Sequence, residues 1–168
     1  MGSVRLYGAT SGYLELQAPD VGPDAALVLP STGFGKVLQI VRATDPTQRT
    51  TTSISNVDAS ISVTITPQKS DSAIIVIWSG VVQTPDGNAY TRLAVTDASN
   101  NGLSGAENTL IYDVNTQSIR TSFVLMGYST PATTSATTYK GRFSASSGTA
   151  TLVNNNSTGQ MYAIEVAA

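Results

Sequence analysis

The run ASISVTITP, Ala59 to Pro67, decides how the rest of the chain is read. Ile61, Val63 and Ile65 fall on one side of an extended chain, while Ser60, Ser62, Thr64 and Thr66 fall on the other. A period of two predicts a strand with one face on a core and the other in water, and Pro67 ends it. Upstream, KVLQIVRAT (Lys36 to Thr44) is a strand rich in β-branched residues, closed by Asp45-Pro46. Downstream, AIIVIWSGVVQ (Ala73 to Gln83) is apolar throughout. That predicts a strand buried on both faces, with a bulge at Gly80. TPDGN (Thr84 to Asn88) carries the Asp-Gly signal of a hairpin turn and leads into AYTRLAVTD. After a second turn, DASNNGLSG, come the strands TLIYDV and IRTSFVLMGY. The polar, Pro-broken STPATTSATT reads as an extended loop. YKGRFSAS, TATLVN and the alternating QMYAIEVAA finish the chain, with Tyr162, Ile164 and Val166 on one face. No window repeats apolar residues at the helical period. The pattern predicts an all-β, antiparallel β-sandwich of jelly-roll or Greek-key type over residues 36–168.

The opening segment reads differently. YLELQAPDVGPDAALVLPSTG, Tyr13 to Gly33, holds two short apolar runs, Tyr13 to Ala18 and Ala25 to Leu29, separated by Pro19, Asp20, Gly22 and Pro23. Both predict strands, and an isolated pair of strands is marginal in water. Residues 1–35 are therefore expected to form a two-stranded arm whose Tyr13, Leu14, Leu16, Leu27, Val28 and Leu29 are covered where chains meet. Full burial of one such side chain stabilises by about 1.5–3 kcal/mol, so several copies pooling their leucines outweigh an ordering cost that one copy cannot. The plainer alternative makes these strands edges of the main sandwich.

Composition narrows the function. The chain has 168 residues, 40% of them hydrophobic but only 12% charged, with a net charge of −2. Ser and Thr fill roughly a quarter of it, as suits strands with uncharged polar faces. The charge balance and the single, scattered basic residues argue against nucleic acid and anionic membranes as partners. With neither Cys nor His, disulfides, ordinary zinc sites and nucleophile–His pairs are excluded, and no cofactor is expected. The opening MGSVRLYGAT lacks the pattern of a secretory leader.

Several stretches admit a sharp and a plain reading. DASNNG, Asp97 to Gly102, matches the first half of a calcium loop, but the twelfth position falls on Asn108 where a bidentate acid is needed; an Asn-Gly turn explains the same residues. Trp78 sits within the apolar run, as core or as a sugar platform. Tyr90, Tyr112, Tyr128 and Tyr139 flank loops and are candidates for exposed glycan or protein contact. Asp20, Asp24, Asp45, Asp86 and Asp97 occupy turn positions where bonding to the backbone accounts for them, although a catalytic carboxylate pair formed in space would need only two acids. NNNST, Asn154 to Thr158, reads as a loop.

The order SGYLELQAP, LVLPSTG and KVLQIV, then TTTSISNVDASISVTITPQKSDSAIIVI, then STPATTSATTYK resembles a family of tailed-bacteriophage virion proteins. They are often described as tail-fibre-like or structural, and are frequent in phages of cyanobacteria and marine hosts. TPATTSATTYK is its most specific piece. After Lys140 the GRF triplet interrupts the expected alternation. The resemblance implies a homo-oligomeric, commonly trimeric particle component, made in the bacterial host cytoplasm and resident in the virion, with no catalytic residues. The short chain then suits a capsid decoration (cement) protein touching the major capsid protein or another virion protein. The alternatives are a short tail or head fibre binding a host surface glycan and, from a different class, a polysaccharide depolymerase.

Overall fold

The computed structural model describes residues 3–7, 13–17, 36–113 and 117–168. By packing, the chain divides into Met1–Phe34 and Gly35–Ala168. In the first unit, β1 (Ser3–Tyr7) pairs antiparallel with β2 (Tyr13–Gln17), Leu6 opposite Leu14 and Val4 opposite Leu16. Thus the partner of the YLELQ strand is SVRLY, a segment the sequence pattern did not single out. The strand expected over Ala25–Leu29, with Leu27, Val28 and Leu29, lies outside the described residues.

The second unit is an antiparallel β-sandwich. Its strands are β3 (Val37–Asp45), β4 (Arg49–Thr51), β5 (Val57–Ile65), β6 (Ala73–Gln83), β7 (Tyr90–Asp97), β8 (Thr109–Tyr112), β9 (Arg120–Ser129), β10 (Thr137–Ala145), β11 (Ala150–Leu152) and β12 (Gly159–Val166). One sheet runs β5-β10-β7-β8. In the larger sheet β6 is central: β9 lines one edge, β12 and then β11 line the other, and β3 and β4 pair outside those.

The Ala59–Pro67 alternation is realised as read: Ile61, Val63 and Ile65 are buried, and Ser60, Ser62 and Thr64 are exposed. They meet Ile74, Val76 and Trp78 of β6, Leu93 and Val95 of β7, Tyr139 and Phe143 of β10, and Met161 and Ala163 of β12 in one core. Trp78 packs edge-on to Phe123, ring centroids 4.9 Å apart. Trp78 is thus core. The GRF triplet marks a real irregularity, because the β10–β5 register shifts between Lys140 and Arg142. A Cβ at Gly141 would lie 2.8 Å from Ile61 Cγ2 and 3.0 Å from Trp78 Cζ2, so only glycine fits over the indole.

Three expectations change. No hairpin joins β6 to β7: both edges of β6 are already taken, so the Thr84–Asn88 turn carries the chain to the other sheet. The Asp-Gly signal did mark left-handed backbone, at Gly87 (φ 78°) and Asn88 (φ 56°). There is no bulge at Gly80, since β6 pairs with β9 without a break from Ile74↔Ser129 to Gln83↔Arg120. Nor is β6 buried on both faces. Ile74, Val76 and Trp78 are buried, while Ile75, Ile77 and Val81 are only partly covered.

Candidate interaction surface

The half-covered side of β6 belongs to a larger feature. Residues opposite one another in paired strands share a face, and the registers place three rows across the outer side of the large sheet. The first is Tyr128, Ile75, Ile164 and Ile40; the second is Met126, Ile77, Tyr162 and Arg42; the third is Val124, Ser79, Gln160 and Thr44. Val124, Met126, Tyr128 and Ile40 are 67%, 58%, 53% and 60% exposed. On β12 the apolar alternation Tyr162, Ile164, Val166 faces this outer side, and Met161, Ala163 and Glu165 face the core. Tyr162 and Ile164 of β12 therefore point away from the interior, while Met161 points into it.

Glu165 is the reason that the inward register is tolerated. It is fully buried with no cation against it, and four groups donate to its carboxylate: Gln39 Nε2 (2.6 Å), the Gln68 amide (2.8 Å), the Lys69 amide (3.2 Å) and the Ser72 hydroxyl (2.6 Å). Burial pushes its pKa up, but the donors of Ser72, Gln39, Gln68 and Lys69 outweigh it, and the carboxyl lies below its ordinary value. The carboxylate ties the β5–β6 connection to β3 and β12.

On the outer face, Arg42 is the cation of the central rows. Its guanidinium donates to Gln160 Oε1 (3.0 Å) and lies over the Tyr162 ring, 5.8 Å from the centroid. The outer side of the small sheet is of another kind. Ser62 and Thr64 of β5 stand opposite Lys140 and Thr138 of β10, and the Thr64 and Thr138 hydroxyls hydrogen-bond at 2.8 Å. Its apolar spot is at the β8 edge. There Tyr112 stacks on Tyr90 with centroids 5.7 Å apart, beside Leu110, and Arg92 lies 5.7 Å from the Tyr90 ring centre.

The candidate tyrosines separate accordingly. Tyr112 and Tyr128 are exposed and Tyr90 is partly so; Tyr90 and Tyr112 stack on the small sheet, whereas Tyr128 lies on the large one, so the three form no single site. Tyr139 is a correction: it is fully buried in the core, and burial pushes its phenol pKa up. Tyr13, Leu14 and Leu16 lie on β2. Sequence reading missed Val124, Met126, Ile40 and Ile164 as a surface. The available signal was a central strand apolar on both sides.

The acids are engaged locally. Asp45 receives Arg49 Nε (3.0 Å) and Nη2 (3.2 Å), the Thr47 amide and Asn154 Nδ2. Burial raises its pKa, while Arg49, Thr47 and Asn154 lower it, and the net shift is downward. Asp86 accepts the Ser118 amide at 2.6 Å. Asp97 accepts the amides of Ser99 and Asn101 and the Asn101 side chain, with Asn100 left-handed at φ 69°. DASNNG is therefore a turn closed by its own aspartate. No group of three acids among the described residues could hold a metal ion. Asn154 to Ser157 form the turn between β11 and β12, with the Asn156 and Ser157 amides bonded to the Val153 carbonyl. A polar hollow of about 480 Å³ lies beside Gln83, Asp86, Ser118 and Thr149. Its Gln83 and Asp86 side chains are already bonded to Ser118.

No family model matches the sequence, and no curated protein matches it significantly. Among solved structures, one similar to it is a chain of the T13 particle of infectious bursal disease virus, at 14% identity and a TM-score of 0.42 over 94% of this chain and 42% of that one. The VP2 subviral particle of the same virus gives 13% identity and a TM-score of 0.39, over 96% and 46%. The chain thus spans less than half the length of these structures. Likenesses this weak carry no argument about what the chain assembles with.

Proposed function

We propose that this chain is a non-enzymatic structural protein of a bacteriophage particle, a homotrimeric decoration protein that covers and reinforces the capsid. The observation that carries this reading is the apolar outer face of the large sheet, wide enough to seat another protein and backed by a rigid core. The Ser/Thr face of the small sheet suits the side turned to water. Local hydrogen bonding of Asp45, Asp86, Asp97 and Glu165 supports a mechanical rather than a catalytic role. In this reading residues 1–35, with Tyr13, Leu14, Leu16, Leu27, Val28 and Leu29, form the attachment and trimerisation arm, and several weak footholds on one rigid trimer act as a strong one. Imaging and quantitative mass spectrometry of purified particles test it. Hundreds of copies on the head, and DNA leakage when mild heat or salt strips them, are the expected results. A few copies at the tail would contradict it.

One observation favours a second reading. The stacked Tyr90–Tyr112 pair beside Arg92 is a polar-edged aromatic platform of the kind that contacts sugars. As a fibre tip, the chain would use it on a host surface glycan, and binding of the isolated protein to host cells, lost in Tyr112→Ala, would distinguish this reading.

A further inference from the structure

We infer that the outer face of the β9–β6–β12–β3 sheet is where two copies of this chain pack against each other, a self-association surface distinct from the N-terminal arm. The inference rests on the structural role proposed above and names the partner at that surface.

Four observations carry it. A strand apolar on both faces needs cover on both, and β6 has cover on one: Ile74, Val76 and Trp78 lie in the core, Ile75 and Ile77 under the outer face. The same imbalance recurs on β12, where Tyr162 and Ile164 point outward and Glu165 inward. A single copy thus leaves large apolar residues only partly covered on the outer side of two adjacent strands, Ile75 and Ile77 of β6 and Tyr162 and Ile164 of β12, as a chain does when that face is buried in the assembly.

Area is the second argument. Val37, Ile40, Val124, Met126 and Tyr128 are each more than half exposed, and the rows they belong to cross four strands, an extent on the scale of the roughly 800 Å² that one partner contributes to a standard stable interface.

Charge is the third. The three rows carry no carboxylate and one cation, Arg42, already bonded to Gln160 and stacked on Tyr162. Two such faces meet with almost no charge to desolvate. An anionic or cationic partner finds little to pair with here, whereas an identical apolar face is complementary in character. Packed sheets lie about 10 Å apart with their side chains interleaved, and the alternation of large (Tyr128, Met126, Tyr162) with small (Ser79, Thr44) residues leaves room for that.

The fourth is the boundary. β9 is an edge strand of ten residues whose one charge, Arg120, lies at its first position. The edge strand β5 instead has an exposed Asp58 and a left-handed Ser60 beside the register shift, the usual devices against association. On β9 the Ser104–Gly105 loop covers the edge at Tyr128, whose amide donates to the Ser104 carbonyl at 2.9 Å, but its outward side chains Val124, Met126 and Tyr128 carry no charge.

The test is sedimentation velocity of the full-length chain from low to high micromolar concentration. Wild type is expected to show a reversible mass increase. Val124→Lys with Met126→Glu, and separately Ile40→Glu on β3, are expected to weaken it more than about tenfold. Ser62→Glu on the small sheet should leave it unchanged, and denaturation midpoints within error of wild type show that each variant folds. A chain that stays monomeric throughout overturns the inference. So does one whose association is untouched by both face variants, as when the arm alone holds copies together. Abundant copies on particles from a chain that is monomeric when free would sink this inference and the trimer, and leave a structural role in the particle standing. Face-dependent self-association of a chain absent from particles would do the reverse.

Discussion

The two outer faces of the sandwich share one core and differ in chemistry. On the small sheet, Ser62, Thr64, Thr138 and Lys140 alternate with the buried Ile61, Val63 and Tyr139, and hydroxyls bond across strands. On the large sheet, Val124, Met126, Ile77, Ile164 and Ile40 alternate with the buried Leu125, Val76 and Ala163 and the partly buried Val41. Both faces belong to antiparallel sheets with the same side-chain alternation, so the difference lies in which side chains occupy the outward positions. One face is built for water and the other for protein.

The predictions test whether the faces can be separated from the interior they share. Removing Trp78, which touches both sheets, should have the largest effect. Trp78→Ala should cost about 3–5 kcal/mol in urea denaturation. Gly141→Val should be comparably severe, because its Cβ falls 2.8 Å from Ile61; refolding yield and melting temperature are the readouts. Next comes Glu165→Gln. Putting an amide donor where Gln39, Gln68, Lys69 and Ser72 all donate should cost about 2–3 kcal/mol.

The sign of the pH dependence follows from the same residue. A carboxyl whose folded pKa lies below its ordinary 4.5 contributes stability that is fully present above that value. It is lost as pH falls through the depressed folded value. Wild type should therefore lose stability below about pH 4.5 more steeply than Glu165→Gln; denaturation midpoints across pH measure this, and parallel curves would contradict it. The smallest effect belongs to the outward positions. Ser62→Glu and Val124→Thr should each change the stability of the isolated chain by less than about 0.5 kcal/mol, while only the second sits on the association face.

Much of the sandwich was legible because burial on one side writes a period of two, as in Ile61-x-Val63-x-Ile65. Short elements were not: Arg49–Thr51 is a strand only because β11 lies alongside, and nothing in RTT demands it. Asp86-Gly87 marked the turn correctly but not its destination, since hairpin or crossover depends on which sheet edges are free. The apolar face was present in AIIVIWSGVV, where it was read as interior, and in QMYAIEVAA, where Tyr162, Ile164 and Val166 were placed on one face without saying what covers it, because periodicity cannot tell a core from an interface. Glu165 sat in plain view as the one acid in an alternating apolar strand. Its donors come from β3 and the segment before β6, too distant in sequence to be anticipated.

The most direct measurement uses the absence of cysteine from the chain. A thiol placed at position 126 by Met126→Cys, or at position 62 by Ser62→Cys, reports on one outer face alone. Maleimide labelling of the first should slow as protein concentration rises, while labelling of the second stays constant. Equal, concentration-independent labelling of both would contradict the claim that the large sheet's outer face is an interface.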